Sequence, residues 1–555
     1  MASRMMTARR SRFPLQVLPV LMLLPPWVFP DGGLEGFCFA RPADEPPAAS
    51  ERIGRVSVEV KNIFDPSQPG ENHLLYRAAN HLHRTTRPEV VREQLLFKSG
   101  DPYDPARVAE SERLLRDRRY IGEAHIEAVH GAAGQVDLNV VTQDVWTLNA
   151  GAGVGRSGGV NSTSFQVQDT NFLGTGKSVT LEHSSTVDRT EALARYDDAN
   201  VWGSRLSLRA LYSNNSDGER RELDFGQPFY ALSSRWMAGG AWTDDDRVDT
   251  LYTLGHVSAG FRHQVEYGEL RGGFAHLLSG RRALRFSGGF TWDRQRFFAE
   301  PGYELPEDLP AERTLSYPWV GLDYVEDHYD VTRDFDKIGR TEDLELGHRF
   351  HARLGFASKG FGASENSAVL DASGRWGTRL SADQTLLVDA NLGGRWGQGG
   401  SRNLRLGTAL RYYWRDFGEQ LFYATLEGDI ARNLDPENQL LLGGDSGLRG
   451  YPLRYQDGDR RLLLTLEQRL FTKWYPMKLV HVGGAVFFDL GQTWTTDESL
   501  EAHNLGTLRD IGIGLRLAPS RSGLGAILHL DWAFPLDGDP SIRRSQFLVS
   551  TKATF

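Results

Sequence analysis

Hydrophobic periodicity divides this chain near residue 145. Upstream, the signals are mixed. In RVSVEV, Val56, Val58 and Val60 alternate with polar residues and predict a strand with one apolar face. TRPEVVREQLLF, Thr86 to Phe97, sets Val90, Val91 and Leu95 at helical spacing, with Thr86 as a cap and Pro88 in the first turn. In GDPYDPARVAESERLLRDRRY, Asp104 caps a second helix, Pro105 sits in its first turn, and Val108, Leu114 and Leu115 form its buried stripe. Two strands follow. Ala124, Ile126 and Ala128 alternate in the first and Val136, Leu138 and Val140 in the second, with Gly131 and Gly134 between them. The predicted order is βααββ, a pattern many small domains share.

From Val145 onward the helical period disappears. In NLRLGTALRYYWRDF, Leu404, Leu406, Thr408, Leu410, Tyr412 and Trp414 point one way, and Asn403, Arg405, Gly407, Ala409, Arg411 and Arg415 the other. QLFYATLEGDI opposes Phe422, Ala424, Leu426 and Ile430 to Thr425, Glu427 and Asp429. RLLLTLEQRLF opposes Leu462, Leu464 and Leu466 to Thr465, Glu467 and Arg469. In QFLVSTKATF, at the end of the chain, Phe547, Val549, Thr551, Ala553 and Phe555 share a face. An apolar face opposite a charged one suits a transmembrane antiparallel β-barrel. A soluble sandwich would also alternate. The number of such strands and the aromatics near their ends favour the barrel, and in lipid a sheet must close on itself. Pattern alone gives roughly 20 candidate strands in about 410 residues. Short turns such as Leu173 to Gly176, Ser381 to Gln384 and Pro519 to Ser522 alternate with longer links such as Ala299 to Glu312 and Thr493 to Gly506, and the short ones are expected on the periplasmic side.

The first forty residues change the picture. Arg4, Arg9, Arg10 and Arg12 precede an apolar run from Phe13 to Phe29, which reads as a secretory signal over 1–40, cleaved after Ala40; a retained membrane anchor is the alternative. Removal of that segment takes away Cys38, the one cysteine, so no disulfide is available to stabilise the exported chain. No later run approaches the roughly 20 apolar residues of a spanning helix. A formal charge of −9 gives no reason to expect a nucleic-acid partner.

Several motifs mimic enzymes. GTGKS, Gly174 to Ser178, lacks the upstream glycine of a phosphate loop, because position 171 is Asn171. GRSGG, Gly155 to Gly159, matches a nucleophile elbow but has strands on both sides. GDSG, Gly444 to Gly447, would need a histidine and a carboxylate beside Ser446, and no scaffold for them is evident. The fifteen histidines show no metal-ligand spacing. The expectation is a protein that is not an enzyme, with no catalytic residue, metal or cofactor. Arg449 has a better explanation than Ser446. The glycines Gly443, Gly444, Gly447 and Gly450 let this loop fold into a lumen, where a buried guanidinium needs a carboxylate. In VFFDLG, alternation sends Val486, Phe488 and Leu490 outward and leaves Phe487 and Asp489 facing in, so Asp489 is the expected partner.

LRGY, Leu448, Arg449, Gly450 and Tyr451, resembles the arginine-glycine-aromatic motif on the lid loop of the BamA/TamA superfamily of outer-membrane assembly and two-partner secretion barrels. FFDLG, with Phe487, Asp489 and Gly491, resembles the inward strand motif that receives that arginine. DTNFLGTGKSV near the barrel start, IGIGLRLAP and DWAFPL near its end, and the terminal strand signal Phe547, Val549 and Phe555 agree. SGDPYDPARVAESERLLRDRRYIGEAHIEA resembles part of a POTRA domain. The resemblance implies a mainly β protein in the bacterial outer membrane: a signal peptide 1–40, a linker 41–51, one POTRA domain 52–144 in the periplasm, and a barrel 145–555 with an inward lid loop 439–459. It implies about sixteen strands, or more on the count above. It also implies partners: the lipid bilayer, extended or unfolded client proteins at the POTRA edge and the barrel seam, and periplasmic accessory proteins. The implied function is assembly, insertion or translocation of proteins at the outer membrane. A secretion pore for one exoprotein and a structural surface antigen are the alternatives.

Overall fold

A computed structural model describes residues 51–555, apart from 69, 132–133, 308, 416–417, 419, 496–504, 524–525 and 541. The expected signal segment, the linker up to residue 50 and most of the link between Thr493 and Gly506 lie outside the described residues.

The amino-terminal unit runs β1 Arg52–Lys61, α1 Leu74–Leu82, α2 Pro88–Gln94, α3 Pro105–Arg116, β2 Ile121–His130 and β3 Gln135–Asp144. β3 is central, parallel to β1 and antiparallel to β2. Val91 from α2, Leu95 just after it, and Val108 and Leu115 from α3 pack on Ile126, Val136, Leu138 and Val140 of the sheet. Asp104 caps α3 by accepting from Ala106 N at 2.9 Å. Thr86 does not cap α2, whose preceding residue is Arg87 and makes no side-chain cap. Its side chain turns instead to the end of β3, because Asp144 is buried there and needs donors: Thr86 N and Oγ1 reach it at 2.7 and 2.8 Å, and His83 Nε2 lies at 3.0 Å. Asp144→Ala strands these groups without an acceptor. It is expected to destabilise the unit by about 2 to 4 kcal/mol, read as earlier proteolysis within 52–144 while the barrel stays intact.

Helix α1 is absent from the sequence reading for a physical reason. Tyr76 is its one buried residue, while Leu74, Leu75 and Leu82 are exposed, so no stripe faces a core.

Among the described residues, twenty strands form a closed antiparallel barrel, from Leu148–Ser157 to Gln546–Lys552. The number exceeds the sixteen that the resemblance implied and agrees with the count from alternation. Its strands Trp236–Thr253, His256–Ser279 and Arg282–Ala299 have 18, 24 and 18 residues. About 9 to 11 suffice to cross a bilayer, so these strands extend past any apolar band. Alternation operates as expected: Leu406, Leu410, Trp414, Ile430 and Val486 are exposed on the outside, and Tyr413 and Phe487 are buried inside.

The seam is the weak place. The first and last strands share one register pair, Val549↔Arg156, whereas the adjacent ladder runs continuously from Leu148↔Asp169 to Ser157↔Val160. Gly151, Gly153 and Gly155 leave the first strand with little side-chain packing to offer, and the last strand has only 7 residues.

The amino-terminal unit is fastened to the turns at one end of the barrel, here the near end. Arg87 N donates to Gly174 O at 3.0 Å, Gln94 Nε2 to Asn200 Oδ1 at 2.6 Å, and Leu232 N to Glu110 at 2.7 Å. Arg113 pairs with Asp327, Arg116 with Asp343 and Arg521 with Glu71 at 2.5, 2.6 and 2.8 Å.

Candidate functional site

The link between strands Gln420–Arg432 and Arg460–Phe471 enters the lumen from the far end. A short ladder, Leu440–Leu442 with Gln456–Gly458, stiffens its base. Its glycines are where backbone meets backbone. A Cβ on Gly444 would stand 2.8 Å from Gly158, in the turn after the first barrel strand, and one on Gly450 would stand 2.7 Å from Asp510 Cβ. Gly447, at φ 117°, takes a conformation that side chains disfavour. Leu448 and Tyr451 are fully buried. The Tyr451 hydroxyl lies 2.8 Å from Arg509 O and 3.0 Å from Asp537 O, and burial pushes its pKa up to about 12.

Arg449 lies between them against the wall. Its Nε and Nη2 donate to the two oxygens of Asp489 at 2.7 and 3.0 Å, a bidentate pair. Its Cζ lies 3.4 Å from the centre of the Phe487 ring. Asp489 is fully buried and also accepts from Thr465 Oγ1 at 2.8 Å. Gly450 N donates to Asp510 at 3.0 Å. At Gly491 a Cβ would stand 2.9 Å from Leu442 of the lid ladder.

The guanidinium also has a second carboxylate, which the sequence reading placed inside but did not connect to it. Arg449 Nη1 donates to Glu467 at 3.1 Å, and Asp531 stands 4.0 Å away. Burial opposes the charge on Arg449, but Asp489, Glu467 and Asp531 outweigh it and raise its pKa. Alternation in RLLLTLEQRLF marks Glu467 and Arg469 as inward; what it lacks is the diagonal distance across strands.

Glu467 extends the lock toward the near end. Arg469 Nε donates to its other oxygen at 3.1 Å, and Arg469 Nη1 donates to Asp336 at 3.0 Å and to Phe335 O at 2.7 Å. Asp336 belongs to an inserted hairpin, Tyr329–Arg333 with Thr341–Glu345, between the barrel strands Arg313–Glu326 and His348–Ala357. This near-end link is not a short turn. It folds up inside the wall, where Phe335 and Ile338 pack with inward Leu387, Tyr413, Leu421, Phe471 and Ala485. A line of charges, Asp489, Arg449, Glu467, Arg469 and Asp336, thus runs from the lid to this hairpin. At the hairpin's foot, Asp343 and Asp327 take Arg116 and Arg113 of α3.

The chain end departs from the expected alternation. Phe547 faces outward and Val549 forms the seam pair, but the last strand stops at Lys552 and Phe555 turns into the lumen. Phe555 N donates to Asp336 O at 2.7 Å, its ring lies 5.0 Å from that of Phe471, and Arg469 stacks on it at 5.1 Å. Contact with a buried cation and the hairpin outweighs one more ladder position.

Between lid and hairpin remains a cavity of about 570 Å³ lined by Arg411, Arg461, Glu427, Tyr423, Lys552 and Ser446, with no histidine among its walls. The Ser446 Oγ is buried and makes no hydrogen bond among the described residues. Ser157 of GRSGG donates to Gly444 O at 2.7 Å, and Gly174 of GTGKS packs on Thr85 in a near-end turn. Among the described residues no cluster of three or more histidine, cysteine or acidic groups could hold a metal. The charged side chains around the cavity hold the lid loop in place.

The fold and its lock define a closed antiparallel β-barrel, stoppered from within, on a small α/β unit. No protein-family model matches the chain, and no curated protein matches it. Solved structures that resemble it include BamA from Haemophilus ducreyi lacking POTRA domains 1-3, at 13% identity over 90% of this chain and 85% of that one, with a TM-score of 0.38. CdiB from Acinetobacter baumannii is also 13% identical, over 91% and 74%, with a TM-score of 0.46. CdiB from Escherichia coli is 13% identical, over 90% and 76%, with a TM-score of 0.43. Likeness at this level carries no functional weight, and the chain's own geometry must supply it.

Proposed function

We propose that this chain is an outer-membrane barrel of the BamA/TamA kind, with residues 52–144 as a single periplasmic POTRA domain, and that it inserts or translocates other polypeptides. The apolar outer face supports the membrane placement, since lipid requires a closed sheet. The single observation that carries the reading is the seam. One register pair between the first and last strands means few backbone hydrogen bonds must break for the wall to part or for a client strand to pair with its edge. The edge of β1 beyond Ile53 offers a client the same backbone chemistry, whereas β2 already has Ile126 N and Ala124 O bonded to Glu112 and Arg116.

The test is a disulfide across that pair. Directly opposed antiparallel residues have the Cα spacing a disulfide needs, so Arg156→Cys with Val549→Cys is expected to cross-link on oxidation. Locking the seam should deplete other barrels from the outer membrane, and reduction should restore them. Unchanged levels of those proteins in the oxidised cells would sink seam-based insertion.

One observation favours the pore reading as a second. The lid and the near-end hairpin hang from links between strands, so both can leave the lumen without breaking the wall. In that reading the locked seam leaves assembly intact, while a lid tethered by a disulfide stops export of one exoprotein. A surface antigen would leave both proteomes unchanged on depletion.

A further inference from the structure

Three near-end turns share an unusual geometry. DTNFLG, Asp169 to Gly174, and DANVWG, Asp198 to Gly203, repeat each other in sequence and in hydrogen bonds. Asn171 N and Asn200 N donate back to Asp169 and Asp198 at 3.0 and 2.9 Å, and Gly174 N and Gly203 N donate to the two asparagine carbonyls at 2.8 and 2.9 Å. Both asparagine side chains grip the α2 segment, Asn171 through Thr86 and Asn200 through Gln94. The tips, Leu173 and Trp202, each lie at φ 55°, and in the turn Pro476–Lys478 Met477 lies at φ 52°. Glycine would occupy such positions without strain. Instead each carries a large apolar side chain that points away from the protein, Trp202 with 85% of its surface exposed. Strained backbone and uncovered apolar surface at the same three positions call for something outside the chain.

Helix α1 adds to this set. At 100° per residue, Leu74, Leu75, Ala78 and Leu82 fall within one face, and all three leucines are exposed, Leu74 by 78%. Arg77, His81 and Arg84 are exposed beside them. The opposite face holds Tyr76, which stacks on Phe64 at 4.4 Å and donates its hydroxyl to Met477 O at 2.5 Å. This pins the helix to the third of the turns. The barrel's own outward aromatics stand at this end too: Trp236, Phe274 and Phe286 are exposed on paired positions of adjacent strands.

We propose that α1 and the tips Leu173, Trp202 and Met477 rest in the phospholipid leaflet beneath the barrel, making the amino-terminal unit a membrane-surface element. The occupant is lipid because the apolar tips continue the barrel's outward aromatic row, and because the basic side chains bordering the leucines suit phosphate headgroups. The inference rests on the membrane placement of the barrel.

The test uses the full chain with Cys38→Ser and single labelling sites, each carrying an environment-sensitive dye, in phosphatidylethanolamine–phosphatidylglycerol vesicles containing spin-labelled lipid. The sites are Leu75→Cys, Trp202→Cys, the outward barrel position Leu270→Cys and the exposed sheet position Glu127→Cys. Quenching at 75, 202 and 270 with none at 127 is the expected result. If 270 is quenched while 75 and 202 behave like 127, the leaflet contact is wrong and the barrel placement stands. An unquenched 270 overturns both. Protection at 75 that requires a second copy or another protein identifies that protein as the occupant and overturns the lipid assignment.

Discussion

Arg449→Ala removes the one cation held between Asp489 and Glu467, and the barrel is expected to lose about 3 to 5 kcal/mol of stability. Both carboxylates are buried, and Arg449 is the cation paired with Asp489, while Glu467 keeps Arg469. The loss is measured as a lower urea midpoint for the heat-modifiable band on gels. Arg449→Lys keeps the charge but cannot match the bidentate geometry or spread over Phe487, so an intermediate loss is expected. Exchanging the charges, Arg449→Asp with Asp489→Arg, would rescue an isolated pair. Here it sets a new carboxylate beside Glu467 and Asp531, so the double variant should be no more stable than Arg449→Ala. Recovery to the parent midpoint would show that Glu467 takes no part in the lock.

The second large effect is on conductance. Lid and hairpin close the lumen from opposite ends, and each meets Arg469 or Glu467 in the middle. Replacing residues 329–345 with a short glycine-serine link clears the near end but leaves the lid, and deletion of the lid loop leaves the hairpin. Either change alone is expected to give small, flickering currents in planar bilayers. Both together should give a steady conductance on the scale of an open porin, since barrels of this strand number leave an aqueous channel when unfilled. A full-sized current from the lid deletion alone would mean that the hairpin does not obstruct the lumen.

What alternation can report is which side of a strand a residue takes. It therefore gives the barrel, the inward pair Phe487 and Asp489, and the inward placing of Glu467 and Arg469. It does not give how far a loop reaches along the wall, so Glu467 could be placed inside without being joined to Arg449, only 18 residues earlier on the lid loop. Hairpin 329–345 was invisible for a related reason. Its segments of 5 residues are shorter than a wall strand, and Phe335 and Ile338 sit outside them, in the connecting turn. Phe555 fits the alternation of its strand and leaves it only because Arg469 and Asp336 wait inside. Helix α1 breaks the rule by which helices are found, since its leucines face away from the core.

The fastening of the amino-terminal unit has a consequence for traffic. Contacts at Gly174, Asn200, Leu232, Asp327, Asp343 and Arg521 spread around the mouth of the barrel and leave no swivel between the two parts. On the proposed function, a polypeptide paired with the edge of β1 would meet the wall at one set angle, the way a jig presents a workpiece. On that function, delivery would depend on how the cargo is threaded and not on an arm that swings.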